Sequence, residues 1–69
     1  MLGYISQKSI ATIRESVDYL VEADTLGVLS EENVIAHSEI IKGSADCLRD
    51  EAITSMAQRE AAKHRGELN

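Results

Sequence analysis

The stretch Asp24-Thr25-Leu26-Gly27-Val28-Leu29-Ser30-Glu31-Glu32-Asn33, DTLGVLSEEN, decides the fold. Gly27 can take the positive φ that ends a helix. Ser30 has the side chain of a helix N-cap, and Glu31 and Glu32 place acids in a first turn, where the helix dipole favours them. Leu29 can staple onto Val34 one turn in. The stretch therefore predicts one helix ending and another beginning, with residues 25–30 as the connection of a helical hairpin.

Working back from the turn, Ile10, Ile13, Val17 and Leu20 recur at spacings of three and four, the stripe of an amphipathic helix. The pattern predicts helix 1 over about residues 6–24, with Ser6 as its N-cap. Working forward, helix-breaking signals are absent until Gly66, which Lys63, His64 and Arg65 precede as bases do at helix C-termini. Helix 2 is expected over about residues 31–65, roughly 50 Å against about 28 Å for helix 1 at 1.5 Å per residue. The last dozen or so residues then overhang helix 1. The fold class is all-α, a single domain over residues 1–69 in which a short helix folds back on a long one.

On a helical wheel, Val34, Ser38, Ile41, Ala45, Leu48 and Ala52 form a stripe suited to helix 1. Ala36, Ile40, Gly43 and Cys47 form a second, uncharged stripe about 150° away, with His37 and Ser44 between them. Lys42, Glu39, Asp46, Arg49 and Asp50 are confined to the remaining arc. One hairpin supplies helix 2 with only one neighbour, so the second stripe is the expected dimer interface. Gly43 there either admits a close helix crossing, repaying the roughly 1 kcal/mol of a mid-helix glycine, or kinks the helix. Helix 1 carries a similar uncharged strip, Thr12, Ser16, Tyr19 and Ala23. Tyr19 is either an interface residue or an edge residue with its hydroxyl in water.

Size points the same way. Sixty-nine residues without Trp, Phe or Pro form a marginal core, and chains below roughly 70–80 residues usually need a disulfide, a metal or a partner chain. Cys47 is the only cysteine, so an internal disulfide is excluded and a reducing compartment is expected. Cys47 itself reads as a buried small hydrophobe. A homodimeric helical bundle is the expectation. The start, MLGYISQKS, lacks the pattern of a signal peptide, and a membrane-spanning run is lacking too, so a soluble cytoplasmic protein is expected.

The net charge of −5 is uneven: +2 over residues 1–14, −7 over 15–41 and 0 over 42–69. An antiparallel dimer would lay the acidic turn of one chain along the basic tail (Arg59, Lys63, Arg65) of the other. Chemistry is harder to find. Cys47 lies about 15 Å along one helix from His37 and about 25 Å from His64, too far for a thiol–imidazole pair. His37 and Glu39 lack metal-ligand spacing, and DTLGVLSEEN lacks the alternating oxygen ligands of a calcium loop. Neither an enzyme nor a cofactor or metal is expected. Nucleic acid is disfavoured by the acidic balance, although the terminal bases form a small cluster.

Two resemblances sharpen this reading. The acidic hairpin over residues 6–65, with alanines at Ala45, Ala52 and Ala61, resembles the plasmid RNA-binding hairpins of the Rop kind. That likeness implies an antiparallel four-helix dimer that binds paired RNA loops through basic and aromatic residues of helix 1. Lys8 and Arg14 are the bases available there, beside Glu15, Asp18 and Glu22. In length, charge and inferred helical dimer the whole chain also resembles the small anti-quorum-sensing, host-takeover inhibitors of temperate bacteriophages. That resemblance implies a viral protein of the host cytoplasm that blocks an acyl-homoserine-lactone receptor transcription factor or the type IV pilus assembly ATPase. The expected function is thus a non-enzymatic protein-binding inhibitor of a host protein, with partner contacts at Tyr19, Arg14, Glu15, Glu22, Glu39 and Lys42. The alternatives are Rop-like RNA binding and a structural assembly module.

Overall fold

The computed structural model describes residues 3–68. Gly27 takes φ 72°, the one positive φ among those residues. Around it the Val28 N–H donates to the Ala23 carbonyl at 2.9 Å and the Gly27 N–H to the Asp24 carbonyl at 3.1 Å. These two bonds form a Schellman motif, which satisfies carbonyls that a helix end leaves orphaned. Three residues later the Asn33 N–H donates to Ser30 Oγ at 3.1 Å, the N-cap expected of Ser30. Leu29 and Val34 both line a shallow groove over this start.

The turn joins helix α1 (Tyr4–Thr25) to helix α2 (Glu31–Leu68). Both outrun their expected bounds, for different reasons. α1 starts after Gly3 rather than Ser6, because the Glu51 carboxylate of α2 accepts the Gly3 N–H at 3.0 Å. That places an acid at the positive end of α1, which lacks acids in its own first turn. Ser6 is instead a fully buried residue of the seam. α2 runs through both Gly43 and Gly66 without a break. The kink considered at Gly43 does not occur, and Gly66 does not stop the helix. Each glycine costs roughly 1 kcal/mol, little against propagation through a helix already nucleated and capped.

The interhelix seam differs from the apolar stripe. The buried and half-buried residues of α1 are Ser6, Ser9, Thr12, Ile13, Ser16, Leu20 and Ala23, and all but Thr12 recur at spacings of three and four. They meet Asn33, His37, Ile41, Ser44, Leu48 and Glu51 of α2, the half-buried residues of that helix. Ile13, Leu20, Ile41 and Leu48 sit where their stripes placed them. Ile10 and Val17 do not, and neither do Val34, Ser38, Ala45 and Ala52, all of them exposed. Size explains the rotation. The distance between two helices depends on the side chains at the contact, and serine and alanine permit a closer approach than isoleucine or valine.

Ser6 shows what this costs. It is 0% exposed, and its hydroxyl is buried without a hydrogen-bond partner. A buried unpaired hydroxyl costs about 1–3 kcal/mol, and serine is also a weaker helix former than alanine. Ser6→Ala should therefore raise stability by about 1 kcal/mol, read as an increased urea midpoint at unchanged slope. A lowered midpoint would show that Ser6 has a polar partner in solution.

Beyond Glu51, α2 runs on past the start of α1, and residues 52–66 are exposed throughout. The molecule is accordingly a rod with extents of 62 × 17 × 13 Å.

Candidate protein-interaction surface

A two-helix seam leaves each helix two open flanks, and here both are apolar. On the first, Ile5, Thr12 and Tyr19 recur every seven residues along α1, beside Ala36, Ile40, Gly43, Cys47 and Thr54 of α2. Long-range contacts tie the two sets to one side of the hairpin. The Tyr19 ring stacks on His37 with centroids 4.3 Å apart and planes at 19°, and the Asn33 amide donates to the Tyr19 hydroxyl at 3.1 Å. At the open end, Tyr4, Ile5, Cys47, Asp50, Glu51 and Thr54 line an open groove of about 550 Å³.

The second flank lies across the seam. It is formed by Ile10, Val17 and Val21 of α1 with Val34, Ser38, Ala45 and Ala52 of α2, and Met56 extends it into the overhang. All are exposed. Apart from serine and alanine it is aliphatic, with no aromatic group.

The sequence-predicted partner residues do not form one patch. Glu15, Tyr19 and Glu22 share a strip at the first flank, spaced four and three along α1. Arg14 lies about 140° around α1 from Tyr19, on the second flank's side. Glu39 and Lys42 lie on the face of α2 turned away from α1. The uncharged stripe Ala36, Ile40, Gly43 and Cys47 is exposed as a whole and shares its side with Tyr19. Cys47, expected to be buried, is exposed in the hairpin, because it falls outside the serine-lined seam. A methyl group added at Gly43 would meet nothing within 4 Å. That glycine therefore makes no close crossing with α1, and its open side faces away from the hairpin.

Three contributors were missed in the sequence. Asn33 and His37 orient Tyr19, and Glu51 holds the start of α1. Ser6, Ser9 and Ser16 did carry a signal, the spacing of three and seven among small residues, but a search for apolar side chains passes over it. The stack gives Tyr19 an ordered ring that is still 42% exposed. An aromatic side chain held in place loses less freedom on binding and so suits an interface anchor.

Among the described residues, no three His, Cys, Asp or Glu side chains converge on a metal-sized site, and no helix is long and apolar enough to cross a membrane. The bases of α1 are dispersed, with Lys8 and Arg14 about 120° apart around the helix. Neither a family model, nor a curated protein, nor a solved structure matches the chain.

Proposed function

We propose that the chain is a non-enzymatic protein-binding module that works as a homodimer. The observation that carries this reading is the mismatch between what the hairpin buries and what it leaves open. Ala23 is the one buried hydrophobic residue among those described. The chain exposes 5664 Å², whereas a compact monomer of this size exposes about 4,200 Å². The excess, about 1,400 Å², is in the range that each subunit of an obligate homodimer buries.

The aliphatic second flank suits self-association, because obligate interfaces resemble a domain core cut in half. Ile10, Ile13, Val17 and Leu20 with Val34, Ile41, Ala45, Leu48 and Ala52 then form one wall of a shared apolar core, which a second copy completes. This reading moves self-contact from the stripe Ala36, Ile40, Gly43 and Cys47 to the opposite flank. The first flank is left for another protein. There Tyr19 stands between Glu15 and Glu22 above an uncharged floor, a surface fitted to a partner with a basic rim around an apolar patch. A basic nucleotide-handling or DNA-binding face of a host regulator is such a partner, in keeping with the phage-inhibitor resemblance. The dispersal of Lys8 and Arg14 favours this reading over Rop-like RNA binding.

The test is a pull-down from nuclease-treated bacterial lysate with wild-type protein, Tyr19→Ala and Glu15→Lys/Glu22→Lys. A protein retained stoichiometrically by the wild type should bind each variant at least about tenfold more weakly, the cost of losing a hot spot. Equal retention by all three would remove the first flank as the binding face. Enrichment of structured RNA without protein in an untreated lysate would overturn the proposal itself.

A further inference from the structure

The overhang of α2, residues 52–66, extends past the start of α1 and is exposed throughout. It is about 22 Å long, and most helical stability in proteins comes from packing of a face rather than from propensity. Its side chains nevertheless continue a pattern set within the hairpin. The stripe Val34, Ser38, Ile41, Ala45, Leu48 and Ala52 proceeds at helical spacing to Met56, Arg59 and Lys63. The second flank therefore runs unbroken onto the overhang, and there it changes from apolar to basic.

Building on the dimer reading, we infer that this overhang docks on the turn-end half of the second flank of a second copy. The two α2 helices then overlap antiparallel along their full length, rather than hairpin stacking on hairpin with both tails projecting. Length, apolar surface and charge each favour this register. The hairpin half of α2, Glu31–Glu51, and the overhang differ by only a few residues, so each tail reaches its partner's turn. Met56, 59% exposed, comes to lie over the Ile10, Ile13 and Ala45 region of the other copy. Arg59 and Lys63 then approach Asp18, Asp24 and Glu31, acids of that flank near the turn, where Arg14 is the opposing base on α1. Two-fold symmetry makes the contact twice, so one surface covers both overhangs. A stacked-hairpin dimer would bury the flank but leave two tails of 15 residues in water.

Two measurements test the register, and they separate its failure from failure of the dimer. The first uses complementary charge variants, Arg59→Glu/Lys63→Glu and Asp18→Lys/Asp24→Lys. Each alone should self-associate at least about tenfold more weakly than wild type at low salt, with the deficit shrinking in 1 M salt. Mixed one to one, they should form a heterodimer of near wild-type affinity, because each tail then meets opposite charge. The second places spin labels at position 61 in Cys47→Ser/Ala61→Cys protein. Full overlap sets residue 61 beside about residue 38 of the other copy, so the two labels should lie about 35 Å apart. Stacked hairpins would give about 60 Å and tail-to-tail pairing under about 20 Å. Either of those distances, or a mixture no tighter than its components, overturns the register while leaving the dimer standing. A monomer in sedimentation at all concentrations overturns the dimer and the register together.

Discussion

Val17→Asp should turn a folded dimer into a largely unfolded monomer, at a cost of about 3–5 kcal/mol per dimer interface. In the isolated hairpin this is not what the residue's environment dictates. Val17 is 42% exposed, and substitutions at such surface positions usually change stability by no more than about 0.5 kcal/mol. In the proposed dimer the same position faces the second copy, and a carboxylate there replaces apolar contact and is desolvated. Because the hairpin's own apolar core is so small, loss of the dimer should carry the fold with it. Circular dichroism during urea titration at several protein concentrations, together with sedimentation equilibrium, reads both effects. Wild-type stability should rise with protein concentration, as mass action requires of a fold coupled to association. If Val17→Asp keeps the wild-type mass and midpoint, the aliphatic flank is not where the chain meets itself.

Ser16→Leu should destabilise the hairpin by about 1–3 kcal/mol, although it adds apolar surface to a chain that has little buried. Ser16 is 4% exposed and lies midway along the α1 seam, opposite the Ile41 and Ser44 region of α2. Two additional heavy atoms, and the branch they make, force the helices apart at that point or drive the leucine off its preferred rotamer. Every neighbouring contact along the seam then loosens. Ser16→Ala keeps the close approach and should change stability by less than about 0.5 kcal/mol, since alanine is the better helix former. Comparing the two urea midpoints isolates size from polarity. A leucine variant more stable than wild type would mean that helix spacing is not governed by the small side chains.

Both expectations turn on one feature, the rotation of the helices about their own axes. Ile10 and Val17 belong to a well-formed apolar stripe, and in an amphipathic helix that stripe ordinarily faces its nearest neighbour. Here the nearest neighbour takes the serine edge of the stripe instead, and the apolar centre of the stripe looks out to one side. Such an offset is expected where a helix has two neighbours and lies at the corner of a bundle. The stripe then points between them, toward the bundle axis, rather than directly at either one.

What the sequence determined by itself is the local grammar. The Gly27 Schellman turn, the Ser30 cap and the acids at Glu31 and Glu32 all depend on groups within about six residues of one another. Their hydrogen bonds are made by the same chain segment whatever surrounds it, so residue order suffices to predict them. The tertiary structure decided everything that depends on distant groups meeting. It brought Glu51 to the Gly3 N–H and so started α1 earlier than Ser6, stacked Tyr19 on His37, and exposed Cys47. Above all, it placed serines rather than isoleucines in the seam, because close approach of two backbones is limited by side-chain volume. Apolar periodicity records which residues leave water, but not which of them the nearest helix covers.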